Sequence, residues 1–309
     1  MKAVRYHEYG DESVLHYEDA EVPTAGRGQV LLRVAATGFN PVDAALRAGY
    51  LRDVVPLSFP QVPGFDVAGT VVGLGDASSG FREGDEVIGF LPMDQDGAAA
   101  EYVLAPSDVL VTAPSRVSLP EAAALPSAGL TAWQALHEHA RLQAGQRLLV
   151  VGAGGAVGGY AVQLAAQAGA SVIAVVSPDS AERVRSYGAD LLVDRTRASV
   201  LDAVEGSLDA VLNLAPVGPE GLGPLAARVR PGGVCVTTVP VGPTSSECGV
   251  EVVSMFVRSE ASQLADLVAM VDDGRLQVWV DQTLHLADLA SVHARSATGS
   301  LHGKVVLVP

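Results

Sequence analysis

Cysteine, lysine and long apolar runs are all scarce in this chain. Its 309 residues include two cysteines, Cys235 and Cys248, too few and too far apart for a disulfide framework or a zinc ribbon. Both read as free, buried, inert thiols. The apolar runs stop at four to six residues, as at 172–176 and 305–308, against the roughly 20 that a membrane helix needs. The opening MKAVRYHEYG has no apolar stretch of the signal-peptide kind, so a cytoplasmic location without membrane association is expected. Positive charge is short too: Lys and Arg total 20 against 35 Asp and Glu, a formal net charge of −15, and Lys2 and Lys304 are the only two lysines. Such an acidic surface repels a phosphate backbone, which excludes nucleic acid as a general partner. It still allows a local basic site for one anionic cofactor. With 49% hydrophobic and 18% charged residues, the composition is that of a globular protein, long enough for two domains.

The first 120 or so residues read as short strands and turns. KAVRYHEYG, QVLLRVAATGF, DVAGTVVGLG, GDEVIGF and AEYVLAP are rich in Val and bounded by Gly, Pro or Asp, which suits a compact antiparallel β-domain. Ser118 ahead of Pro120 and Glu121 is an N-cap pattern, and a helix is expected over 129–140. Beyond Gln146 strands alternate with helices: strand 148–151, helix 158–168, strand 171–176, helix 180–187, strand 191–193, helix 198–204, strand 210–214, helix 222–229 and strand 234–238. A strand at 251–257 and a helix at 262–272 complete the series. Such alternation implies a doubly wound parallel sheet and an α/β fold. The tail returns to strand, short helix and strand, and is expected to fold back onto the first domain. The expected boundaries are 1–121 with 279–309 for the first domain and 122–278 for the second.

Within the first strand–helix unit, LLVVGAGGAVGGYAVQ places five glycines in eight residues, Gly152, Gly154, Gly155, Gly158 and Gly159. Glycine weakens a helix start, so the bare backbone has a use there. One use is close packing of helix on strand. The other is a dinucleotide site, where the diphosphate approaches the backbone and sits at the helix N-terminus. The strand before and the helix after supply the context that the second reading requires. Two registers of G-x-G-x-x-G compete. One starts at Gly152 and Gly154 and meets Val157 at its third position. The other, preferred here, starts at Ala153 and has Gly155 and Gly158. The cofactor-binding stretch is thus Ala153, Gly154, Gly155, Ala156, Val157 and Gly158. Where an NAD site commonly ends its second strand with a carboxylate, this chain has Ser177. Arg183 and Arg185 follow on the next helix, facing either a 2′-phosphate or solvent, and Asp179 caps that helix. NADP(H) is therefore expected over NAD(H).

These segments also carry a family likeness. AATGFNPVDAALRAGY resembles an N-P-x-D stretch, VPGFDVAGTVVGLG a P-G-x-D/E-x-x-G segment, and AGGAVG an A-x-G-G-V-G turn. FREGDEVIGF, GAAAEYVLAP, AGLTAWQAL and HGKVVLVP are similar to further blocks of the same family. Taken together, nearly the whole chain resembles the medium-chain dehydrogenase/reductase superfamily, in its zinc-free quinone oxidoreductase branch. The likeness implies a GroES-like catalytic domain built from both chain ends, an inserted Rossmann domain, and an active cleft between them. It also implies homodimers joined at the edges of the Rossmann sheets, here through 249–257. Zinc-dependent relatives carry a catalytic cysteine where this chain has Gly38, Phe39 and Asn40. The four-cysteine zinc lobe is missing, and His137 and His139 sit two apart, on different sides of a helix, so no metal site is expected.

The likeness also assigns residues. Asn40 would donate to a substrate carbonyl or hold the nicotinamide ribose, Asp43 would orient its neighbours, and Tyr50 would give a hydrogen bond or a proton. Each has a structural alternative: satisfying the turn beside Pro41, capping the next helix, and packing. Thr131 would lie near the cofactor, Phe256 near the nicotinamide, and Arg258 and Lys304 near its phosphates. Ala156, in place of a common glycine, and LNLAPVGPEGL, in place of a D-x-x-G-G pattern, depart from the family. Without a metal, alcohol oxidation lacks its Lewis acid, whereas reduction of an activated acceptor mainly needs positioning and polarisation. The expected activity is hydride transfer from NADPH to a small-molecule quinone or α,β-unsaturated carbonyl. Two alternatives stand beside it. An enoyl-thioester reductase would need a cationic carrier surface, which this acidic chain does not show; the other is a non-catalytic NADPH-binding sensor.

Overall fold

The structure is a computed structural model that describes residues 1–78, 80–197, 199–239 and 249–309. Cys248, Ala198 and the side chains of 218–220 lie outside the described residues. Two compact units emerge, Met1–Ser127 with Ser259–Pro309, and Ala128–Arg258. The first half of the chain forms β1 (Lys2–Arg5), β2 (His16–Asp19), β3 (Gln29–Gly38), β4 (Asp66–Leu74), β5 (Glu86–Phe90), β6 (Tyr102–Pro106) and β7 (Leu110–Thr112). The second unit holds β8 (Arg147–Val151), β9 (Ser171–Val176), β10 (Leu191–Asp194), β11 (Leu208–Asn213), β12 (Val229–Thr237) and β13 (Glu251–Ser254), and the tail adds β14 (Gln282–His285) and β15 (Val305–Val308). The helices are α1 (Pro41–Arg47), α2 (Leu119–Ala122), α3 (Pro126–Trp133), α4 (Ala156–Gln167), α5 (Pro178–Ser186), α6 (Val200–Ala203), α7 (Gly218–Ala226), α8 (Ala261–Asp272) and α9 (Leu289–Ala297).

Among the described residues, the first unit carries a seven-stranded sheet in the order β14-β15-β3-β4-β5-β7, with β6 also pairing β3. The tail does return to the first sheet. Gly38 pairs with Asp66 on one side and Val306 on the other, so residues distant in sequence meet at the end of β3. Their core is apolar: Tyr6, Phe39 and Val62 pack with Leu289 and Val292 of α9. Each such side chain, fully buried, favours folding by about 1.5–3 kcal/mol. Ser118 caps α2 as its sequence suggests, in a reciprocal box with Glu121.

The second unit is a six-stranded parallel sheet, in the order β10-β9-β8-β11-β12-β13. Counted from β8, this is the 3-2-1-4-5-6 arrangement of a dinucleotide-binding sheet, whose ligands lie beyond the carboxyl ends of the strands. Three local differences from the sequence reading stand out. The helix expected over 129–140 is α3 followed by a π-helical turn at Gln134–His139. The last parallel strand ends at Ser254 rather than at 257, where its pairing with β12 stops at Thr237, and Phe256 beyond it, although apolar, is 62% exposed. Finally, α8 belongs with the first unit rather than with the parallel sheet. It packs on β7, and both the amide and the hydroxyl of Ser115 donate to Asp272 Oδ1, at 2.7 and 2.9 Å.

Candidate functional site

The glycine turn follows β8. Gly152 has φ +90°, a backbone shape open to glycine and costly for other residues. Gly155 is the N-cap of α4, with extended backbone and no side-chain cap, so the amides of the first turn, from Ala156 onward, are free for an anion. A Cβ on Gly158 would lie 2.3 Å from the Gly152 carbonyl oxygen and 2.6 Å from Ala153 Cα. Close contact of helix and strand therefore requires glycine there. A Cβ on Gly155 would meet nothing nearer than 3.4 Å. The left-handed turn, the N-cap and the tight packing thus fall on 152, 155 and 158, a spacing that matches neither register considered from sequence. The first role falls one residue before Ala153, which is fully buried.

α5 closes over this turn. Ser177 stands at its N-cap, with its hydroxyl 3.2 Å from that of Ser180, and Asp179 sits in its first turn. Arg183 Nη2 donates to the Gly154 carbonyl at 2.9 Å, and its guanidinium lies 5.8 Å from the Tyr187 ring centroid. A guanidinium is therefore held against the glycine turn, and no carboxylate ends β9. Thr131 is buried in α3.

Across the sheet, two buried polar residues that the sequence reading passed over end β11 and β12. Asn213 Nδ2 donates to Thr237 Oγ1 at 3.2 Å, and the Thr237 hydroxyl donates to the Val239 carbonyl at 3.0 Å. A polar residue closing an apolar strand, as in AVLN and VCVT, was the available signal. Arg258, expected near a phosphate, instead forms a two-pronged pair with Glu138 at 2.6 and 2.6 Å.

The first unit holds a second cluster. Asn40 caps α1 ahead of Pro41, and Asp43 reaches back: its Oδ2 accepts from the Asn40 amide at 2.7 Å and its Oδ1 from the Gly64 amide at 3.1 Å. Burial pushes the Asp43 carboxyl up to about 7, opposed by the Asn40 amide and reinforced by the negative Asp66. Lys304, expected on a cofactor phosphate, is 2% exposed; its Nζ lies 2.7 Å from Asp66 Oδ2 and 2.7 Å from Asn40 Oδ1. The Asn40 amide donates to Asp66 Oδ2 at 2.9 Å and to the Gly38 carbonyl at 3.2 Å, so both its hydrogens are used within the cluster. Ser127 adds its backbone amide to Asp66 Oδ1 at 2.7 Å. Its hydroxyl lies 2.7 Å from Asp66 Oδ2 and 3.0 Å from Asn40 Oδ1, one proton serving one of them. The structure thus brings Asn40, Asp43 and Lys304 together with Asp66 and Ser127. Tyr50, 84% exposed beyond α1, stands apart from them.

This cluster does not fit a zinc ion. Of Gly38, Phe39 and Asn40, where zinc-dependent relatives carry their cysteine, the first has no room for a thiol: a Cβ on Gly38 would lie 2.7 Å from Lys304 Cε and 2.7 Å from the Ala123 carbonyl. The acceptors Asp66 and Asn40 already hold an ammonium. Among the described residues, no group of three or more His, Cys, Asp or Glu is arranged to hold a metal. No helix among them is long and apolar enough to cross a membrane.

Comparisons with known proteins agree on the superfamily. The family model of the alcohol dehydrogenase GroES-like domain matches residues 26–115, and that of a zinc-binding dehydrogenase matches 187–307. A chloroplast envelope quinone oxidoreductase homologue of Arabidopsis thaliana is 33% identical over 327 residues, covering 100% of this chain and 98% of the relative. An NADPH-dependent alkenal/one oxidoreductase of the same plant is 34% identical, covering 100% and 80%. The solved quinone oxidoreductase of Coxiella burnetii superposes with a TM-score of 0.89 at 27% identity, covering 100% and 99%.

Proposed function

Belonging to the quinone oxidoreductase branch of the medium-chain dehydrogenase/reductase superfamily, the chain is an enzyme of that branch, and we propose that it uses NADPH to reduce a quinone or an α,β-unsaturated carbonyl without a metal. The observation that carries this reading is the glycine turn with Arg183 clasped to the Gly154 carbonyl. It combines free helix-start amides for a diphosphate with a cation beside them. The NADPH dependence named for the alkenal/one reductase supports the same cofactor.

In this reading the amides of Ala156, Val157 and Gly158 hold the diphosphate, and the glycine at 158 keeps the helix close enough to present them. Ser177 and Arg183 receive the adenosine 2′-phosphate: the hydroxyl leaves that end of β9 uncharged, and the guanidinium attracts the phosphate. Thr131 and Phe256 flank the nicotinamide half. Once bound, the cofactor supplies the hydride. Asn40 and Asp43 position rather than touch the acceptor, since their polar atoms bond to Lys304, Asp66 and the α1 cap. Tyr50, with its exposed phenol, donates to the acceptor oxygen. The test is consumption of NADPH at 340 nm with a panel of quinones and enones, NADH run in parallel. NADPH oxidation dependent on the acceptor is expected. Absence of any calorimetric or fluorescence response to either nucleotide would end the reading.

A further inference from the structure

β13 ends at Ser254, yet the chain after it is held. The Met255 amide donates to the Thr237 carbonyl at 2.9 Å, which continues the sheet ladder by one residue. Three residues later a side chain takes over from the sheet. Gln134 Nε2 donates to the Arg258 carbonyl at 3.0 Å, and the Arg258 amide donates to Gln134 Oε1 at 3.1 Å. The carboxamide thus pairs with both peptide groups of Arg258, as a neighbouring strand would. Gln134 is 1% exposed, so losing these part-buried bonds would leave its place in the core without a polar tie to the segment. Glu138, four residues on, grips the Arg258 guanidinium with both oxygens. Both residues lie on the π-helical turn, where the Ala140 amide reaches back to the Ala135 carbonyl at 2.9 Å. Such turns are uncommon in helices and gather at functional sites.

The sheet order says what the held segment serves. In a doubly wound sheet the half around β8 and β9 receives the first nucleotide and the half around β11 to β13 the second, beyond the strand ends. The stretch from Met255 to Arg258 lies at such an end, with the Phe256 ring standing out between its two anchors. We propose that Gln134 and Glu138 are positioning residues that stretch this segment taut for the nicotinamide half of the cofactor and leave the adenosine half untouched. This rests on the dinucleotide reading above and adds to it residues that contact no ligand themselves.

Two ligands separate the halves: NADP+ and adenosine 2′,5′-bisphosphate, which lacks the nicotinamide. In calorimetric titrations, Gln134→Met, which keeps volume and loses both hydrogen bonds, is expected to raise the Kd for NADP+ about tenfold, some 1.4 kcal/mol, with the bisphosphate Kd within about twofold of the parent. Glu138→Gln, at a half-buried rim, is expected to raise the NADP+ Kd by about two- to threefold with the same selectivity, and it carries the test if Gln134→Met does not fold. Equal weakening of both ligands would show a general structural role and overturn the proposal, as would no change in either. A parent chain that bound neither ligand would overturn the dinucleotide reading together with it. A parent that bound both, with variants that bound both equally well, would overturn the clamp alone.

Discussion

Acid should loosen the contact between α1 and α9, and the amount can be worked out. Arg47 Nε donates to His293 Nδ1 at 3.2 Å while its Nη1 donates to the Gly10 carbonyl at 2.7 Å. His293 is fully buried, its ring edge-on to Phe39 at 4.9 Å. Burial, with the Arg47 charge beside it, pushes the imidazole down from its ordinary 6.5 to about 3. A depressed folded value means the unfolded chain takes up the proton first. The stability that neutral His293 contributes is therefore complete above 6.5 and drains away as pH falls from there toward 3. Between pH 7 and pH 5 a single such group costs about 2 kcal/mol. The perturbation is His293→Asn, whose Oδ1 can still accept from Arg47 but does not titrate. At pH 7 the variant should be less stable by about 2–4 kcal/mol for the lost ring. Urea unfolding of both proteins at pH 7 and pH 5 gives a difference of differences in which other titrating groups cancel. The gap between parent and variant should narrow by about 2 kcal/mol at pH 5. A gap of equal size at both pH values would refute the reasoning.

Four further outcomes are expected. Gly158→Ala should lower stability by about 1–3 kcal/mol through overpacking and abolish NADPH binding, whereas Gly155→Ala should keep the fold; thermal unfolding and nucleotide titration tell them apart. Arg183→Gln should raise the KM for NADPH about tenfold, the order of one charge-assisted contact, and leave that for NADH unchanged, while Ser177→Asp should turn the preference toward NADH; both are read from initial rates. Lys304→Met should cost about 3–5 kcal/mol in urea unfolding, because Asp66 is left buried without its partner. Light scattering should give the mass of a dimer, since β13 is an edge strand among the described residues; a monomer would count against it.

Local chemistry was legible in the sequence and distant chemistry was not. The turn at 152–158 announces itself because glycine has a strong local meaning and the flanking periods switch from strand to helix. Ser118 and Glu121 announce a helix start for the same reason. Periodicity could not end β13 correctly, since VVSMFV is apolar but for Ser254 and only three dimensions show Phe256 facing out. Nor could it place α8, whose apolar stripe does not say which sheet it meets. Asn40 and Asp43 are legible through their motif, but their partners are not: Asp66 opens β4 and Lys304 precedes β15, both brought in by pairing with β3, and Ser127 comes from α3. Gln134 sat unnoticed inside an apolar helix pattern, because a buried amide reveals its purpose only when its partner peptide is known. Cys235, one of the two cysteines, is buried, and burial pushes its thiol up to about 12, which favours the protonated form.

The packing around Gly38 limits what that position can accept. A side chain there would press on the methylene stem of Lys304, and withdrawing that stem strands the carboxylate that it neutralises. Moving Lys304 alone would not make room, because the Ala123 carbonyl lies as close. A side chain at 38 therefore disturbs a backbone contact and a buried ion pair at once.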